Sequence, residues 1–193
     1  MKLLRKILIL LNPVYFLFVW LRNKAYDWGL FKSKFYDFPV ICIGNLSMGG
    51  TGKTPMVEYL IRMLKYNYRL AVLSRGYGRK SQGFVLADSN SNSNSLGDES
   101  FQIKSKFPDV AVAVDTDRQH GISSLQAIDQ PPKIILLDDA FQHRRVKAGF
   151  SVLLTAYNDL YCETYYFLLV ILGNRGLEPN VPKLWWLLNV LKI

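Results

Sequence analysis

The residues best suited to chemistry lie near Gly52, Lys53 and Thr54, where an apolar run breaks into glycines. A polyphosphate is met by several backbone N–H groups at once, and glycines leave the room that side chains would fill. A lysine here reaches the β- and γ-phosphates, and the next hydroxyl binds Mg²⁺. The pattern G-x-x-x-x-G-K-[ST] fails only at Ser47, where it wants glycine. The residues predicted to bind nucleotide are Ser47, Met48, Gly49, Gly50, Thr51, Gly52, Lys53 and Thr54.

Two carboxylates, Asp138 and Asp139, follow the apolar run 134–137. A carboxylate at the carboxyl end of a buried strand is where a P-loop enzyme holds Mg²⁺, directly or through water. Asp138, Asp139 and Thr54 are therefore predicted to hold the metal ion. An acidic pair alone is a common strand exit, but beside a glycine-rich phosphate loop it indicates phosphoryl chemistry.

Three arginines follow other strand candidates. Arg75 and Arg79 lie in a glycine-containing turn after the apolar run 70–73, and Arg118 follows the run 110–114. The two arginines of the glycine-containing turn, with Lys80, could hold phosphate. The alternative is a solvated basic cluster.

Apolar runs that alternate with helical patterns predict an α/β fold, a P-loop NTPase-like parallel sheet flanked by helices, with ligands at the carboxyl ends of the strands. The strand candidates are 40–44, 70–73, 110–114, 134–137 and 150–157, and the helical patterns cover 56–64 and 122–128. The Ser and Asn alternation from Ser89 to Ser95 predicts a mobile loop. The adjacent carboxylates Asp98 and Glu99 follow it, and their pattern alone fits a helix N-terminus as well as a catalytic site.

The amino-terminal stretch from Ile7 to Leu21 is almost wholly apolar and has basic residues on both sides. Fifteen residues of helix rise only about 22 Å, short of the roughly 30 Å hydrocarbon core. The stretch predicts a membrane-associated helix that lies in one leaflet at least as readily as it spans, with an ordinary buried helix as the alternative. The aromatic and basic residues 23–39 suit a membrane interface.

Length and charge bound the remaining possibilities. The chain has 193 residues, enough for one ordinary domain, and a formal charge of +9. Its basic residues flank an apolar stretch, which favours an anionic membrane surface and not nucleic acid. Cys42 and Cys162 form no disulfide framework or metal spacing, which indicates a reducing cytoplasmic environment.

Four segments, 44–55, 73–79, 97–99 and 138–143, together resemble the tetraacyldisaccharide 4'-kinase (lipid A 4'-kinase) family. The resemblance implies transfer of the γ-phosphate of ATP to the 4'-hydroxyl of a tetraacylated glucosamine disaccharide-1-phosphate. It implies Mg²⁺ as cofactor and a place at the cytoplasmic face of the bacterial inner membrane, peripheral or monotopic. It also makes Ser47 a family feature.

The resemblance assigns individual roles as well. It makes Arg75, Arg79 and Arg118 candidates for contacts to phosphate or to the anionic end of the substrate. It implies that Asp98 is the catalytic base, that Lys53 and Thr54 hold the phosphates and Mg²⁺, and that Asp138 and Asp139 help to hold the metal ion. His143 could orient a carboxylate or satisfy a buried hydrogen bond, and we expect the structural role.

The resemblance extends to about residue 166. The family carries a segment of the kind Leu-Pro-x-Gly-Asn-Leu-Arg-Glu at this place. From residue 166 onward, a shifted frame that joins the third base of each codon to the first two bases of the next can encode this segment, because the codons are degenerate. We therefore expect a frameshift there, and an organisation into a membrane-associated helix and linker (1–37), an incomplete P-loop kinase domain (38–166) and an atypical tail (167–193). The alternatives to a kinase are a regulatory P-loop NTPase and an inactive membrane-associated fragment.

Overall fold

A six-stranded sheet forms the centre of the structure, a computed structural model that describes residues 17–45, 52–141 and 143–154. Its order is β3-β4-β2-β5-β1-β6, in which β3 runs antiparallel to β4 and every other pair is parallel. The mostly parallel α/β sheet is as predicted. In chain order the strands are β1 Val40–Asn45, β2 Leu70–Ser74, β3 Val85–Leu86, β4 Ala111–Val114, β5 Ile134–Asp138 and β6 Phe150–Leu154.

Helices cover both faces of this sheet. They are α2 Lys53–Leu64, α3 Ser93–Leu96, α4 Asp98–Lys106 and α5 Arg118–Gln126. Residues 17–27 form a further helix, α1, which belongs to a separate unit. The apolar sides of α2 and α4 share one core cluster, and α5 contributes to a second. Because helices cover both faces of the sheet, both sides of each central strand are buried, and these strands appear in the sequence as continuous apolar runs.

The side chains of each central strand alternate between the two core clusters. In β2, Val72 packs with α2 and α4, whereas Ala71 and Leu73 pack with α5. In β5, Leu136 joins the first cluster and Ile135 the second. Successive side chains of a strand point to opposite faces of the sheet, so each central strand contributes residues to both core clusters.

Strand β5 lies directly beside β1, in a register that pairs Asp138 with Ile43. The chain leaving β5 then folds back over the end of β1, where Gly44 and Phe141 are in close contact. Residue 34 pairs with residue 146 as a parallel bridge, which fixes the outer side of the same loop. The acidic end of β5 is thus held beside the start of the phosphate loop.

A buried carboxylate joins the two helices on the first face. Glu58 of α2 accepts hydrogen bonds from Lys106 of α4 at 2.7 and 2.9 Å and from Arg62 at 3.0 Å. The ammonium of Lys106 lowers the pKa of Glu58, whose side chain is 8% exposed. The bridge fixes the helix that follows the phosphate loop against the helix that begins at Asp98.

Some local expectations differ from the structure. Residues from Ser89 to Ser95 form a turn and the start of α3, because Asn92 caps the helix by accepting from the Ser95 N–H while Ser95 Oγ accepts from the Asn92 N–H. The stretch is therefore ordered by its own polar side chains and is not an unstructured loop. The short strand β3 was not predicted, since two residues carry no periodic signal.

The described residues 17–32 belong to a separate unit from the one that contains residues 33–45, 52–141 and 143–154. Residues 7–16 of the predicted membrane segment lie outside the described residues, and residues 17–27 are helical. Of the helices in the described ranges, none combines the length and apolar character required to cross a bilayer. The predicted domain boundaries at 37/38 and 166/167 stay predictions.

Gly44→Ala is expected to lower the free energy of unfolding by about 1–3 kcal/mol, the usual cost of overpacking. The added Cβ would lie 2.7 Å from Phe141 Cβ and 3.2 Å from its backbone nitrogen, neither of which can move independently of the loop. Urea denaturation measures the effect. Gly149→Ala is the control, because its Cβ would meet nothing closer than the Val40 carbonyl at 3.9 Å. Equal losses in the two variants would contradict the packing explanation.

Candidate phosphoryl-transfer site

Lys53 ties together the two strand ends that frame the site. Its Nζ lies 3.1 Å from Asn45 Oδ1, at the end of β1, and 3.1 Å from Asp139 Oδ1, just after β5. The Lys53 side chain is only 21% exposed. An ammonium in this position faces the space above the carboxyl edge of the sheet, where the helix α2 begins. Of the residues predicted to bind nucleotide, 47–51 lie outside the described residues.

Gly52 and Thr54 shape the start of α2. Gly52 is the N-cap and has φ of 83°, a conformation that favours glycine. Thr54 is half-buried in the first helical turn, followed by Pro55, which needs no N–H there. The unpaired N–H groups of this helix end provide a favourable setting for an anion.

Asp138 is buried, and its Oδ1 has no hydrogen-bond partner in the described part of the chain. Burial raises its pKa to about 6, with further contributions from the negative charges of Glu99 and Asp139. An orphaned carboxylate oxygen of this kind fits a hard cation such as Mg²⁺, which prefers oxygen ligands. Within the described ranges no group of three His, Cys, Asp or Glu could enclose a metal ion, so a cation here would take further ligands from phosphates or water.

Asp139 has φ of 50°, the one positive value among the non-glycine residues described. Aspartate tolerates the left-handed region better than most residues, and such strain is concentrated at functional sites. The turn places the Asp139 carboxylate against Lys53 while Asp138 stays buried. The two adjacent carboxylates therefore have different environments, which the sequence did not distinguish.

Asp98 and Glu99 reach this edge because two glycine-containing loops pack tightly together. A Cβ on Gly97 would lie 2.5 Å from the Tyr77 carbonyl, and one on Gly76 would lie 3.0 Å from the Leu96 carbonyl. Asp98 and Glu99 then occupy the exposed first turn of α4. Glu99 is close enough to raise the pKa of Asp138, so the first turn of α4 belongs to the same electrostatic neighbourhood as the end of β5.

The three predicted arginines have different surroundings. Arg75 is exposed and has no hydrogen bond or ion pair among the described residues, as expected of a group that receives an anion. Arg79 donates to the carbonyls of Gly83 and Val114 and to Ser81 Oγ, which fixes the loop. Arg118 is 2% exposed and donates to the carbonyls of Asp115 and Asp138.

Burial lowers the pKa values of both Arg79 and Arg118. Arg118 donates to backbone carbonyls, and Arg79 donates to backbone carbonyls and to Ser81 Oγ, so each guanidinium fixes the surrounding chain. Their contact with substrate stays a prediction. His143 is half-buried and its N–H donates to the Ala140 carbonyl, while its side-chain role also stays a prediction.

No role was predicted for Asn45, Asp115 or His120. Asn45 accepts a hydrogen bond from Lys53, and the buried Asp115 carboxylate pairs with His120. Glu99, named beside Asp98 from the sequence, acts on Asp138. Asn45 ends an otherwise apolar strand four residues before Gly49, and that position is the signal that would have identified it.

The model of the family described as tetraacyldisaccharide-1-P 4'-kinase matches residues 4–167. The chain belongs to this family. A tetraacyldisaccharide 4'-kinase from Flavobacterium johnsoniae is 59% identical over 165 residues, which are 86% of this chain and 48% of the relative. One from Bacteroides fragilis is 57% identical over 144 residues, covering 74% and 38% respectively.

A solved structure supports the same family fold. The crystal structure of "apo" form LpxK from Aquifex aeolicus in complex with ATP is 37% identical, with a TM-score of 0.70 over 78% of this chain and 48% of that one. The chain thus spans about half the length of the curated relatives it matches. The family match ends at residue 167, and the residues after 154 lie outside the described ranges.

Asp138→Asn is expected to raise the free energy of unfolding at pH 7.5, without divalent cations, by roughly 1–3 kcal/mol. The wild-type pKa is raised from 3.8 to about 6 in the folded state. The folded protein therefore binds the proton more tightly, and its stability falls as the pH rises through that window. Urea denaturation between pH 4 and 8, in roughly unit steps, measures this difference. The free energy of unfolding of the variant should equal that of the wild type near pH 4, and its excess over the wild type should reach its full value above pH 6.

Asp139→Asn is the matched control, since this neighbouring carboxylate is 58% exposed and paired with Lys53. Asparagine also tolerates the positive φ at this position. A comparable gain at neutral pH in this variant would mean that burial of Asp138 is not the cause.

Proposed function

We propose that this chain is the amino-terminal, nucleotide-binding part of an ATP-dependent kinase that phosphorylates the 4'-hydroxyl of a tetraacylated glucosamine disaccharide-1-phosphate in lipid A biosynthesis. The observation that carries the proposal is the position of Lys53, bonded to Asn45 and Asp139 beside the buried Asp138. Together with family membership, this arrangement supports phosphoryl transfer at the carboxyl edge of the sheet.

Lys53 binds the β- and γ-phosphates of ATP in this proposal. It exchanges its contact with Asp139 for phosphate oxygens, and Asn45 continues to orient its ammonium. The ATP in the Aquifex aeolicus relative supports the nature of the ligand. The backbone N–H groups at the start of α2 add neutral donors that the phosphates can use without a further charge.

Thr54, Asp138 and Asp139 would hold Mg²⁺, which supplies charge neutralisation between phosphate oxygens when bound. The orphaned oxygen of Asp138 supports this ligand set. Lys53, released from Asp139, is then free to contact phosphate, and Asp139 becomes available as an oxygen donor. Before ATP and Mg²⁺ bind, the ion pair between Lys53 and Asp139 therefore keeps both side chains in position.

Asp98 accepts the proton of the attacking 4'-hydroxyl. As the new oxygen–phosphorus bond forms, the bond between the γ-phosphorus and its bridging oxygen breaks, and ADP leaves with that electron pair. Asp98 lies at the positive end of α4, where the helix dipole stabilises its charge before the reaction. The contact of Gly97 with Tyr77 supports this role by fixing the helix start.

Residues 17–32 provide the membrane-facing surface in this proposal. Many large apolar side chains in this segment are exposed, and basic residues stand among them, as at a water–lipid interface. Lys24 Nζ lies 6.0 Å from the ring centre of Trp20, and Arg22 lies at the same distance from Tyr26. The exposed apolar residues are Leu17, Phe18, Trp20, Leu21, Trp28, Leu30 and Phe31.

The direct test compares Lys53→Ala and Asp98→Asn. Transfer is measured on a chain extended to the length of the relatives, in the frame predicted after residue 166, once the coding DNA there has been resequenced. Lys53→Ala should weaken ATP binding at least tenfold, because a charge-assisted contact is worth about 1.5–3 kcal/mol. Asp98→Asn should retain ATP binding and lose at least 100-fold in transfer to the acylated disaccharide.

Lys133→Ala is the charge control, because this exposed lysine precedes β5 at the opposite edge of the sheet. Unchanged transfer in Asp98→Asn would refute the kinase assignment. ATP binding and hydrolysis without transfer would support the regulatory NTPase instead. An unbroken reading frame in the resequenced DNA would contradict the predicted frameshift.

Trp28→Ser combined with Phe31→Ser is expected to reduce binding to vesicles of phosphatidylglycerol at least tenfold, through loss of buried apolar area. Co-sedimentation at low and high salt measures the binding. Tyr66→Ser is the control, since this tyrosine is 82% exposed but lies outside the segment. Equal losses in both variants would argue against a dedicated membrane surface.

A further inference from the structure

Arg79 connects three backbone segments near the carboxyl edge of the sheet. Its Nη1 donates to the Val114 carbonyl at the end of β4 and to Ser81 Oγ, both at 3.3 Å. Its Nη2 donates to the Gly83 carbonyl at 2.7 Å. In the described ranges the hydrogen bonds of this half-buried guanidinium go to oxygens of the chain itself. The side chain therefore acts as a brace between the end of β4 and the loop after β2.

The aliphatic part of the same side chain lies against Gly76. A Cβ on Gly76 would be 2.5 Å from Arg79 Cδ, so the approach requires a residue without a side chain. Gly76 also has φ of 70°, which favours glycine. The Arg79 N–H donates to the Gly76 carbonyl at 3.2 Å and closes the turn between them. Arg79 thus fixes the turn 76–79 through its backbone, its aliphatic stem and its guanidinium.

This turn packs directly on the residues that lead into α4. A Cβ on Gly76 would lie 3.0 Å from the Leu96 carbonyl, and one on Gly97 would lie 2.5 Å from the Tyr77 carbonyl. The two backbones are therefore in contact without intervening side chains. Asp98 follows Gly97 as the first residue of α4. The position of the Asp98 carboxylate consequently depends on the position of the turn.

A second path leads from Arg79 to the same place through Ser81. Ser81 Oγ accepts from Arg79 and donates to the Ser95 carbonyl at 2.5 Å. The neighbouring Lys80 N–H donates to the Asn94 carbonyl at 2.7 Å. Both carbonyls belong to α3, which directly precedes the start of α4. The turn that Arg79 braces therefore holds the chain on both sides of the junction between α3 and α4.

We propose that Arg79 is a positioning residue for phosphoryl transfer, which holds the first turn of α4, and with it Asp98, at the carboxyl edge of the sheet. The inference rests on the proposed function, in which Asp98 accepts the proton of the attacking hydroxyl. Arg79 acts through Gly76 and Gly97 and does not touch the substrate. This role differs from the contact with an anionic group that the family resemblance implies for the same arginine.

The shape of the guanidinium explains why an arginine suits this position. Its planar fork presents donors in fixed directions, so it reaches the Val114 and Gly83 carbonyls together while its stem crosses Gly76. A lysine keeps the charge but has one nitrogen, which cannot replace both arms of the fork. A displacement of a reacting group by about 1 Å can lower a rate about 100-fold. Loss of the brace should therefore affect the chemical step.

The nucleotide site is held by other contacts. Lys53 is fixed by Asn45 and Asp139, at the ends of β1 and β5, and none of these residues bonds Arg79. Variants of Arg79 should accordingly separate ATP binding from transfer. A residue that receives the anionic end of the substrate would instead change the KM for the acylated disaccharide, and a lysine would retain part of that contact.

The kinetic test compares Arg79→Lys and Arg79→Ala in the chain extended to the length of the relatives. Both should lower kcat roughly 10–100-fold while the KM for ATP stays within about twofold of the wild type. Guanidinium chloride, below the concentration that unfolds the variant, should restore part of kcat in Arg79→Ala but not in Arg79→Lys, where the lysine stem fills the space. Arg69→Ala is the control, since Arg69 directly precedes β2 at the opposite edge of the sheet.

Hydrogen exchange on the full 193-residue chain tests the linkage without any activity. The Gly97 N–H donates to the Ser93 carbonyl, and the Phe101 N–H donates to the Gly97 carbonyl. In Arg79→Ala both N–H groups should exchange at least tenfold faster, because the helix start loses its support. The N–H groups within α2 should keep their rates, which shows that the fold as a whole is retained. Unchanged exchange at Gly97 and Phe101 would refute the linkage.

Gly97→Ala and Gly78→Ala test the contact by a second route. Both glycines have positive φ, 82° and 77°, so either alanine introduces backbone strain. Only the Cβ at residue 97 would meet the Tyr77 carbonyl, whereas the one at residue 78 would meet nothing within 4 Å. Gly97→Ala should therefore cause the larger loss of kcat and the larger increase in exchange. Equal effects would mean that strain alone is responsible and would contradict the proposed linkage.

Failure of this inference can be told from failure of the proposed function. If the wild-type extended chain transfers phosphate and Arg79→Lys has the same kcat, the positioning role is refuted while the kinase assignment stands. A raised KM for the acylated disaccharide with unchanged kcat would identify a substrate contact and overturn the role as well. If the wild type binds ATP but transfers nothing, the proposed function fails, and hydrogen exchange still decides whether Arg79 holds the start of α4.

Discussion

A buried carboxylate with an unpaired oxygen constrains the whole carboxyl edge of the sheet. Asp138 lies at the end of β5, out of contact with solvent, and burial opposes its ionisation. In the described structure, the cationic side chains near Asp138 make their hydrogen bonds with other groups. Lys53 bonds Asn45 and Asp139, and Arg118 donates to backbone carbonyls. A charge left in this state costs free energy, which a cation with oxygen ligands would offset.

The remaining architecture can be understood as the means of keeping this edge in place. Pairing of β5 with β1 brings Asp138 beside the start of the phosphate loop, and the close approach of Gly44 to Phe141 holds the following turn. Arg118 reaches across β2 to join the ends of β4 and β5. The edge is therefore braced by backbone contacts, and its exposed side chains remain available for ligands.

The parts predicted correctly from sequence are those with a simple physical signal. Strands covered on both faces appear as apolar runs, so β2 and β5 were located within a residue or two. Sequence could not separate the exposed Arg75 from the buried Arg118, because an arginine's type does not say whether its guanidinium faces solvent or donates to carbonyls. The pairing of Asp115 with His120 depends on how α5 begins.

The capping of α3 also escaped prediction. Alternating serine and asparagine predicts disorder from composition. Asn92 and Ser95 lie three residues apart, however, and the side chain of each accepts a hydrogen bond from the backbone N–H of the other. Composition averages over positions, whereas a capping box depends on spacing. The same limitation applies to Asp138 and Asp139, whose environments differ although they are adjacent.

The bridge between Glu58 and Lys106 has an evolutionary consequence. These residues are 48 positions apart but share hydrogen bonds between α2 and α4 in which the Glu58 carboxylate is buried and the Lys106 side chain is half-exposed. Loss of Lys106 leaves Glu58 with the exposed Arg62 alone, whereas replacement of both by apolar residues leaves no uncompensated charge. Sequence drift at these two positions is therefore coupled, and relatives should exchange them as a pair.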